Sequence, residues 1–301
     1  MPHRQVHRSR SEWTILTAVV ASGWLCLPQA AMIQPFSADI SHRARGVFPG
    51  EAVLIRVVPS APVTEIRGDI FDETVRFYPA DGAAWQGLVG VDLLVEPGAY
   101  NLTLLMRPVG SAPVQRVYPL TVAHKAYPTR QLTVAPRYVE PPPDVSARIA
   151  REAQEQQAIF ASASTDRLWR GPWGVPVSGR ATSAFGSRSV FNGQSRSPHS
   201  GADFRAPEGT PVVAPNVGRV ALTGDTYFSG GSVILDHGWG LYSYFAHLSK
   251  ILVEEGDLIE SGQAVGLAGA TGRVTGPHLH WTLRMNGARV DPLSLVELLA
   301  E

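Results

Sequence analysis

The chain has 301 residues, of which 44% are hydrophobic and 17% are charged, so it can bury ordinary cores and is not disordered throughout. Lys and Arg together number 26, as do Asp and Glu, and this balance excludes a nucleic-acid binder that relies on a general basic surface. A single cysteine excludes an internal disulfide framework and a cysteine-rich zinc finger, and the length indicates about two domains.

Residues 1–31 predict a signal peptide or an uncleaved N-terminal anchor. Three arginines precede an apolar run from Trp13 to Leu27, which is short for a membrane-spanning helix and suits a signal-peptide core. The small residues Ala30 and Ala31 follow it. We therefore expect an exported protein of the periplasm or cell envelope, which touches the membrane only if this segment is retained. The remaining chain has no cysteine and tolerates an oxidising compartment.

Residues 33–125 predict a small, immunoglobulin-like β-sandwich. Short segments of alternating character are separated by turn dipeptides such as Pro49-Gly50, Asp81-Gly82 and Pro97-Gly98. The predicted strands are 51–59, 64–71, 84–95, 100–107 and 115–123. The histidines of this region lie near its two ends, so an interaction or spacer module is favoured over a catalytic one.

Residues 126–176 predict a Pro-rich hinge, a helix and a linker. Three consecutive prolines, 141–143, predict a rigid hinge after the sandwich. Asp144 is predicted to cap a helix that runs to about Ser162. Its apolar stripe is thin, so the helix is expected to pack against a neighbouring element. The stripe consists of Val145, Ile149, Ala153 and Phe160.

The pattern of short strand segments separated by turns begins again at residue 177, and it predicts a mainly β C-terminal domain, 177–297. Five of the nine histidines lie between residues 199 and 280. The segment SPHSGADF holds His199 and Asp203 in an H-x-x-x-D pattern, and GPHLHWTL holds His278 and His280 in an H-x-H pattern.

Alternation along a strand predicts that the H-x-H histidines share one face. His278, His280, Thr282 and Arg284 would lie on that face, and Leu279, Trp281 and Leu283 on the opposite, apolar face. Two imidazoles and one carboxylate can hold zinc and leave a position for water. Together with His247, the two patterns favour a metal site over isolated surface histidines. The spacing leaves open which histidine of the H-x-H pair is a ligand.

The motifs and their order resemble those of the lysostaphin/LytM-type zinc metallopeptidases, which hydrolyse peptide cross-links of bacterial peptidoglycan. The resemblance covers about 177–293 and includes His247 in a His-Leu-Ser context between the two patterns. Flanking segments are also similar, namely Phe185-Gly186-Ser187-Arg188, Asp236-His237-Gly238, Gly256-Asp257, Gly262-Gln263 and Gly269-Ala270-Thr271-Gly272.

This resemblance implies an antiparallel β-sheet with a groove that holds one Zn²⁺ ion. It implies that His199, Asp203 and His280 bind the metal, and that His247 and His278 are catalytic groups for proton transfer and charge stabilisation. The expected partner is the peptide cross-link of peptidoglycan, with no nucleic acid.

Two other functions stay open at this point. One is a non-catalytic regulator that uses the same fold to bind the wall or to activate a partner hydrolase, and the other is a zinc peptidase with a protein substrate. The sandwich is expected to position or cover the catalytic groove.

Several further residues have alternative interpretations. His237 is interpreted as a structural histidine, and 269–277 as a tight turn that leads into the H-x-H strand. The loop 188–198 lines the groove or is a solvated connector. An aromatic wall for a peptide is weighed against ordinary packing for Tyr227, Phe228, Trp239 and Tyr242.

Overall fold

The computed structural model describes residues 36–133, 141–183, 185–195 and 197–300. The signal peptide or anchor predicted for residues 1–31 lies outside this part of the chain. Residues from Phe36 onward form one compact unit. None of the helices in the described ranges is long and apolar enough to span a membrane.

The first part of this unit is a seven-stranded antiparallel β-sandwich. Its strands are β1 (Ala38–Arg43), β2 (Ala52–Pro59), β3 (Val63–Ile70), β4 (Glu73–Pro79), β5 (Trp85–Gly90), β6 (Gly98–Pro108) and β7 (Val114–Val122). They pair in the order β1-β2-β5-β4-β3-β6-β7. This is the connectivity of an immunoglobulin constant-type sandwich, with β4 paired to both layers.

Alternating apolar residues build the sandwich core. Val53, Ile55 and Val57 of β2 point inward, as do Leu102 and Leu104 of β6, and all are fully buried. The mainly β fold class is confirmed, and the five predicted strands correspond to β2, β3, β5, β6 and β7. The prediction for 84–95 was too long, and β1 and β4 were missed.

A short strand and a helix follow the sandwich. Strand β8 (Thr129–Leu132) precedes a 3₁₀ turn (Pro143–Val145) and helix α1 (Ser146–Ala161). The predicted cap is wrong: Asp144 lies inside the 3₁₀ turn, and the N-cap position of α1 is Val145, which makes no side-chain cap. The predicted packing is confirmed, because Ile159 and Phe160 pack against buried residues of the C-terminal sheet.

The C-terminal part is a ten-stranded, mainly antiparallel sheet with a short helix. Seven strands are hydrogen-bonded in the order β17-β14-β15-β16-β19-β12-β9. The other three extend this sheet: β18 pairs with β16, β13 pairs with β18, and β20 pairs with β19. The strands are β9 (Ala181–Ser183), β12 (Gly201–Phe204), β13 (Pro211–Val213), β14 (Gly218–Thr226), β15 (Gly230–Gly238), β16 (Leu241–Ile251), β17 (Leu258–Ile259), β18 (Ala264–Ala268), β19 (Leu279–Met285) and β20 (Ala288–Val290). Helix α2 (Pro292–Leu298) follows β20 and is capped by Asp291.

The two faces of this sheet are covered differently. One face is packed with apolar side chains around Phe204, Phe245 and Trp281. On the other face, α1 packs over Tyr242 and Tyr244. His280 of β19 also lies on this second face, because it is paired across the strands with Ala246 of β16, which belongs to the same cluster as Tyr242 and Tyr244.

The sandwich and the C-terminal sheet share a further apolar cluster. It joins Leu54 and Leu88 of the sandwich to Trp169, Leu283 and Met285. Ion pairs cross the same boundary: Arg45 binds both the buried Glu51 and Asp291, and Asp92 binds Arg289. These contacts hold the sandwich against the sheet that carries the histidines.

A small three-stranded sheet connects the hinge to the loop before His199. Strand β10 (Arg188–Phe191) pairs with β11 (Gln194–Ser195) and, in parallel, with β8. The loop 188–198 is therefore a paired hairpin over most of its length. Its role in substrate contact stays a prediction.

Candidate metal centre and active site

The candidate metal ligands meet because their strands are neighbours in the sheet. Asp203 on β12 lies directly opposite His280 on β19, and side chains opposite one another on an antiparallel pair are in contact. His199 lies just before β12 and is fixed by backbone hydrogen bonds to Gly186 and Ser187. Residues separated by about 80 positions in the sequence are thus brought to one point.

The three candidate ligand atoms lie within about 3 Å of one another. Asp203 Oδ1 lies 2.8 Å from His280 Nδ1 and 3.1 Å from His199 Nε2, and the two nitrogens are 3.1 Å apart. A tetrahedral zinc ion with bonds of 2.0–2.1 Å separates its ligand atoms by about 3.3 Å. The group has the donor types and the spacing that such an ion requires.

The orientation of His280 is fixed by a threonine that the sequence analysis did not single out as a ligand-positioning residue. Its Nε2 lies 3.0 Å from Thr282 Oγ1, which leaves Nδ1 directed toward Asp203 when Nε2 carries the proton. Thr282 is buried, 3% exposed. A hydrogen-bond partner behind a metal-binding imidazole selects its tautomer and ring orientation. The alternation along β19 could have revealed this role, because Thr282 follows His280 by two residues.

The electrostatics favour an ionised Asp203 carboxylate and an uncharged His280 ring. Burial raises the pKa of Asp203, but the hydrogen bonds and positive charge that His199 and His280 supply when protonated outweigh burial, and the pKa falls well below its usual range. For His280, burial lowers the pKa more than Asp203 raises it. A carboxylate and uncharged imidazoles are the protonation states that bind metal ions.

His247 and His278 lie beside the three candidate ligand residues. Their ring centroids are 4.8 Å apart, and His278 Nε2 lies 3.9 Å from Asp203 Oδ1. Nδ1 of His247 donates to the carbonyl of Thr271, and Nδ1 of His278 donates to the carbonyl of Gly276, both at 2.9 Å. Carbonyl oxygens only accept, so each neutral ring presents an unprotonated Nε2. Burial lowers the pKa of His247 to about 4.

The glycine-rich segment 269–272 supports these histidines. His247 has a left-handed backbone (φ 66°), and its N–H donates to Ser229. Thr271 accepts from His247 with its carbonyl and donates from its hydroxyl to the carbonyl of Leu248. Gly269 forms a β-bridge with His278, so the segment is the turn into β19 that the sequence predicted.

The remaining histidine and aromatic predictions divide clearly. His237 is fully buried and hydrogen-bonds to the carbonyl of Val217 and to the Ser243 hydroxyl, which confirms its structural interpretation. The aromatic wall is wrong for Tyr242, which packs under Phe160. It is also wrong for Trp239, which donates to Thr165 and lies near Tyr78.

Tyr227 and Phe228 lie closer to the candidate site. Their rings are in edge contact at 5.0 Å, and the carbonyl of Phe228 accepts from the backbone of Arg273, next to the segment that supports His247. Their contact with a peptide stays a prediction.

Comparison with known proteins assigns the family. The profile described as Peptidase family M23 matches residues 197–292. A solved structure of a Pseudomonas aeruginosa protein, assigned to peptidase M23, is 31% identical with a TM-score of 0.60, and the match covers 84% of this chain and 96% of that one. The chain belongs to peptidase family M23. Its membership confirms the resemblance that the histidine motifs indicated.

Curated relatives are similar to part of this M23 chain. The peptidoglycan DD-endopeptidase ShyA of Vibrio cholerae is 38% identical over 141 residues, which are 46% of this chain and 33% of the relative. The DD-carboxypeptidase/endopeptidase Mpg of Neisseria meningitidis is 41% identical over 97 residues, 32% of this chain and 22% of the relative. The chain thus matches a third or less of the length of these two relatives.

Proposed function

We propose that the chain is an exported zinc metalloendopeptidase that hydrolyses peptide cross-links of bacterial peptidoglycan in the periplasm or cell envelope. The observation that carries the proposal is the convergence of His199, Asp203 and His280 beside two further imidazoles. The peptidoglycan substrate is inferred from the DD-endopeptidase names of the relatives.

The residues fit a zinc ion on chemical grounds. Two nitrogens and one carboxylate oxygen form a three-donor set, which is the number that catalytic zinc sites use while a fourth position stays open. The hydroxyl of Thr282 can hold the outer ring nitrogen of one proposed ligand, His280. When bound, zinc would supply a Lewis acid that makes a water molecule acidic near neutral pH and polarises a peptide carbonyl.

The two remaining histidines would move the protons. His278 is proposed as the group that accepts a proton from the attacking water, because its free Nε2 faces the ligand cluster at 3.9 Å from Asp203. His247 holds its Nδ1 proton on Thr271, and it would stabilise the developing oxyanion by donating from Nε2 a second proton, which it must first take up from solvent against its lowered pKa. A protonated histidine would then supply the leaving amine with its proton.

The proposal predicts different losses for the two groups of residues. His199→Ala, Asp203→Ala and His280→Ala should lose bound zinc and activity together. His247→Ala and His278→Ala should lose most activity and keep about one zinc ion per chain. Metal analysis of the purified variants checks this division, and zinc loss in His278→Ala as severe as in His280→Ala would contradict it.

The substrate class needs a separate test. Zinc-loaded protein should release fragments from purified sacculi and from cross-linked muropeptides, and a chelator should stop the release. A pentaglycine peptide and a generic unfolded protein serve as competing substrates, and faster cleavage of the protein would indicate a protein peptidase. A zinc-loaded chain that cleaves none of these substrates would favour the non-catalytic regulator.

A further inference from the structure

A cavity of about 580 Å³ lies between α1, the β19–β20 hairpin and the sandwich. The helix contributes Gln156, Gln157 and Phe160 to its wall, and the hairpin contributes Arg284 and Asn286. None of the five residues of the candidate catalytic site lines it. It is therefore a separate place on the protein, large enough for a ligand of a few residues.

Arg284 is poorly satisfied at the edge of this cavity. Its Nε is buried and has no hydrogen-bond partner within the described ranges, where the guanidinium makes a single hydrogen bond, 3.5 Å from Nη1 to the carbonyl of Gly287. The guanidinium also lies 5.2 Å from the centre of the Phe160 ring. A guanidinium has five N–H donors, and leaving buried donors unpaired costs free energy.

Asp92, one of the acids in the cavity wall, is already engaged. Both carboxylate oxygens of Asp92 bind Arg289, with contacts of 2.5 Å and 2.9 Å to the guanidinium. Burial lowers the pKa of Arg284 to about 10, and repulsion by Arg289 adds to this effect while Asp92 opposes it. Arg284 stays charged at neutral pH, whereas the ion pair of Asp92 is with Arg289. Glu73 also lines the cavity, and burial together with Asp72 raises its pKa.

We propose that this cavity binds a peptide through one carboxylate, which Arg284 holds. No ion pair joins Arg284 to either acid of the wall within the described residues, and the acidic side chains of Glu73 and Asp92 disfavour a doubly charged phosphate. The amides of Gln156, Gln157 and Asn286 offer donors and acceptors that match peptide groups. A bound peptide would touch the sandwich, the helix and the catalytic sheet at once.

The test measures binding by calorimetry to the metal-free full chain, so that the metal centre cannot take the carboxylate. The probes are the tripeptide Ala-Ala-Ala, its C-terminal amide and inorganic phosphate. The free acid should bind at least roughly tenfold more tightly than the amide, the loss expected when a charge-assisted pair is removed. Phosphate should bind more weakly than the free acid. Equal binding of acid and amide, or tighter binding of phosphate, would overturn the proposal.

Variants locate the binding. Arg284→Met should lose roughly tenfold or more in affinity for the free acid, and Arg284→Lys should recover part of it. The control is Arg56→Met, which removes an exposed arginine of β2 outside the cavity.

A second variant keeps the arginine. Gln157→Trp should fill the cavity and weaken binding, whereas Gln154→Trp, on the same helix but outside the cavity lining, should not. The Gln157 pair decides the matter if Arg284→Met folds poorly. Unchanged affinity in both Arg284→Met and Gln157→Trp would show that the peptide binds elsewhere. Because binding is measured without metal, it stands or fails independently of the proposed hydrolysis.

Discussion

Replacing Thr282 by valine tests whether the hydrogen bond behind His280 tunes the metal centre. Valine keeps the shape and burial of threonine but removes the hydroxyl that lies 3.0 Å from His280 Nε2. The imidazole then loses the partner that selects its tautomer, and a buried N–H is left unpaired at a cost of about 1–3 kcal/mol. Loss of such a partner weakens metal binding by roughly 10–100-fold.

This fold-change corresponds to about 1.4–2.7 kcal/mol of binding free energy. The zinc dissociation constant is measured by competition with a chelating dye, for wild type, Thr282→Val and Thr282→Ser. Serine keeps the hydroxyl and should restore most of the affinity. Thermal unfolding of each metal-free protein separates a loss of zinc affinity from a loss of fold. Equal zinc affinity in wild type and Thr282→Val would refute the reasoning.

Two further predictions concern the backbone and the boundary between the two parts. In Gly230→Ala the added carbon would clash with Thr271 Oγ1 and displace Thr271, whose carbonyl accepts the hydrogen bond from His247. Because this displacement would misplace a proposed catalytic group, activity should fall by roughly tenfold or more. Gly256→Ala is the matched control, since it also has a positive φ but open space around the new carbon, and it should lose stability alone; equal activity in the two variants would contradict the argument. For Asp92, burial raises the pKa, but hydrogen bonds from Arg289 and Leu94 outweigh it and the pKa lies below its usual value. The stabilisation should therefore be complete above the unfolded pKa of about 3.9 and decrease as the pH falls through the folded value. In urea unfolding, wild type should have a higher free energy of unfolding than Asp92→Asn at about pH 6, and this difference should shrink below about pH 4. A difference that stays constant to about pH 3 would count against the argument.

The sequence predicted the elements whose signals are local. Alternation placed Leu279, Trp281 and Leu283 in the core, and the structure has all three fully buried. Strand β4 was missed because its hairpin with β3 turns through Phe71 and Asp72, both with positive φ, and not through a glycine or asparagine. The helix cap failed because the prolines before Asp144 start a 3₁₀ turn one step earlier.

The site required information that spacing does not carry. The patterns identified the chemistry-bearing residues, but the register that sets Asp203 opposite His280 depends on the whole sheet. The choice of His280 over His278 as ligand came from the family resemblance alone. The structure sets His280 Nδ1 at 2.8 Å and His278 Nε2 at 3.9 Å from Asp203, a difference of tertiary placement that no local pattern encodes. The cavity around Arg284 depends on three distant segments and had no sequence signal.

Strand β2 belongs to two interiors at once. Val53 and Ile55 face the sandwich core, while Ala52 and Leu54 face the cluster that includes Trp169 and the β19 hairpin. If either neighbour is removed, one apolar face of this strand becomes exposed to water. Excision of the catalytic sheet would therefore leave an exposed apolar surface on each fragment. We expect heat or urea to melt both parts in one cooperative step. Joining this catalytic sheet to a different N-terminal domain would require that domain to supply a strand with two apolar faces.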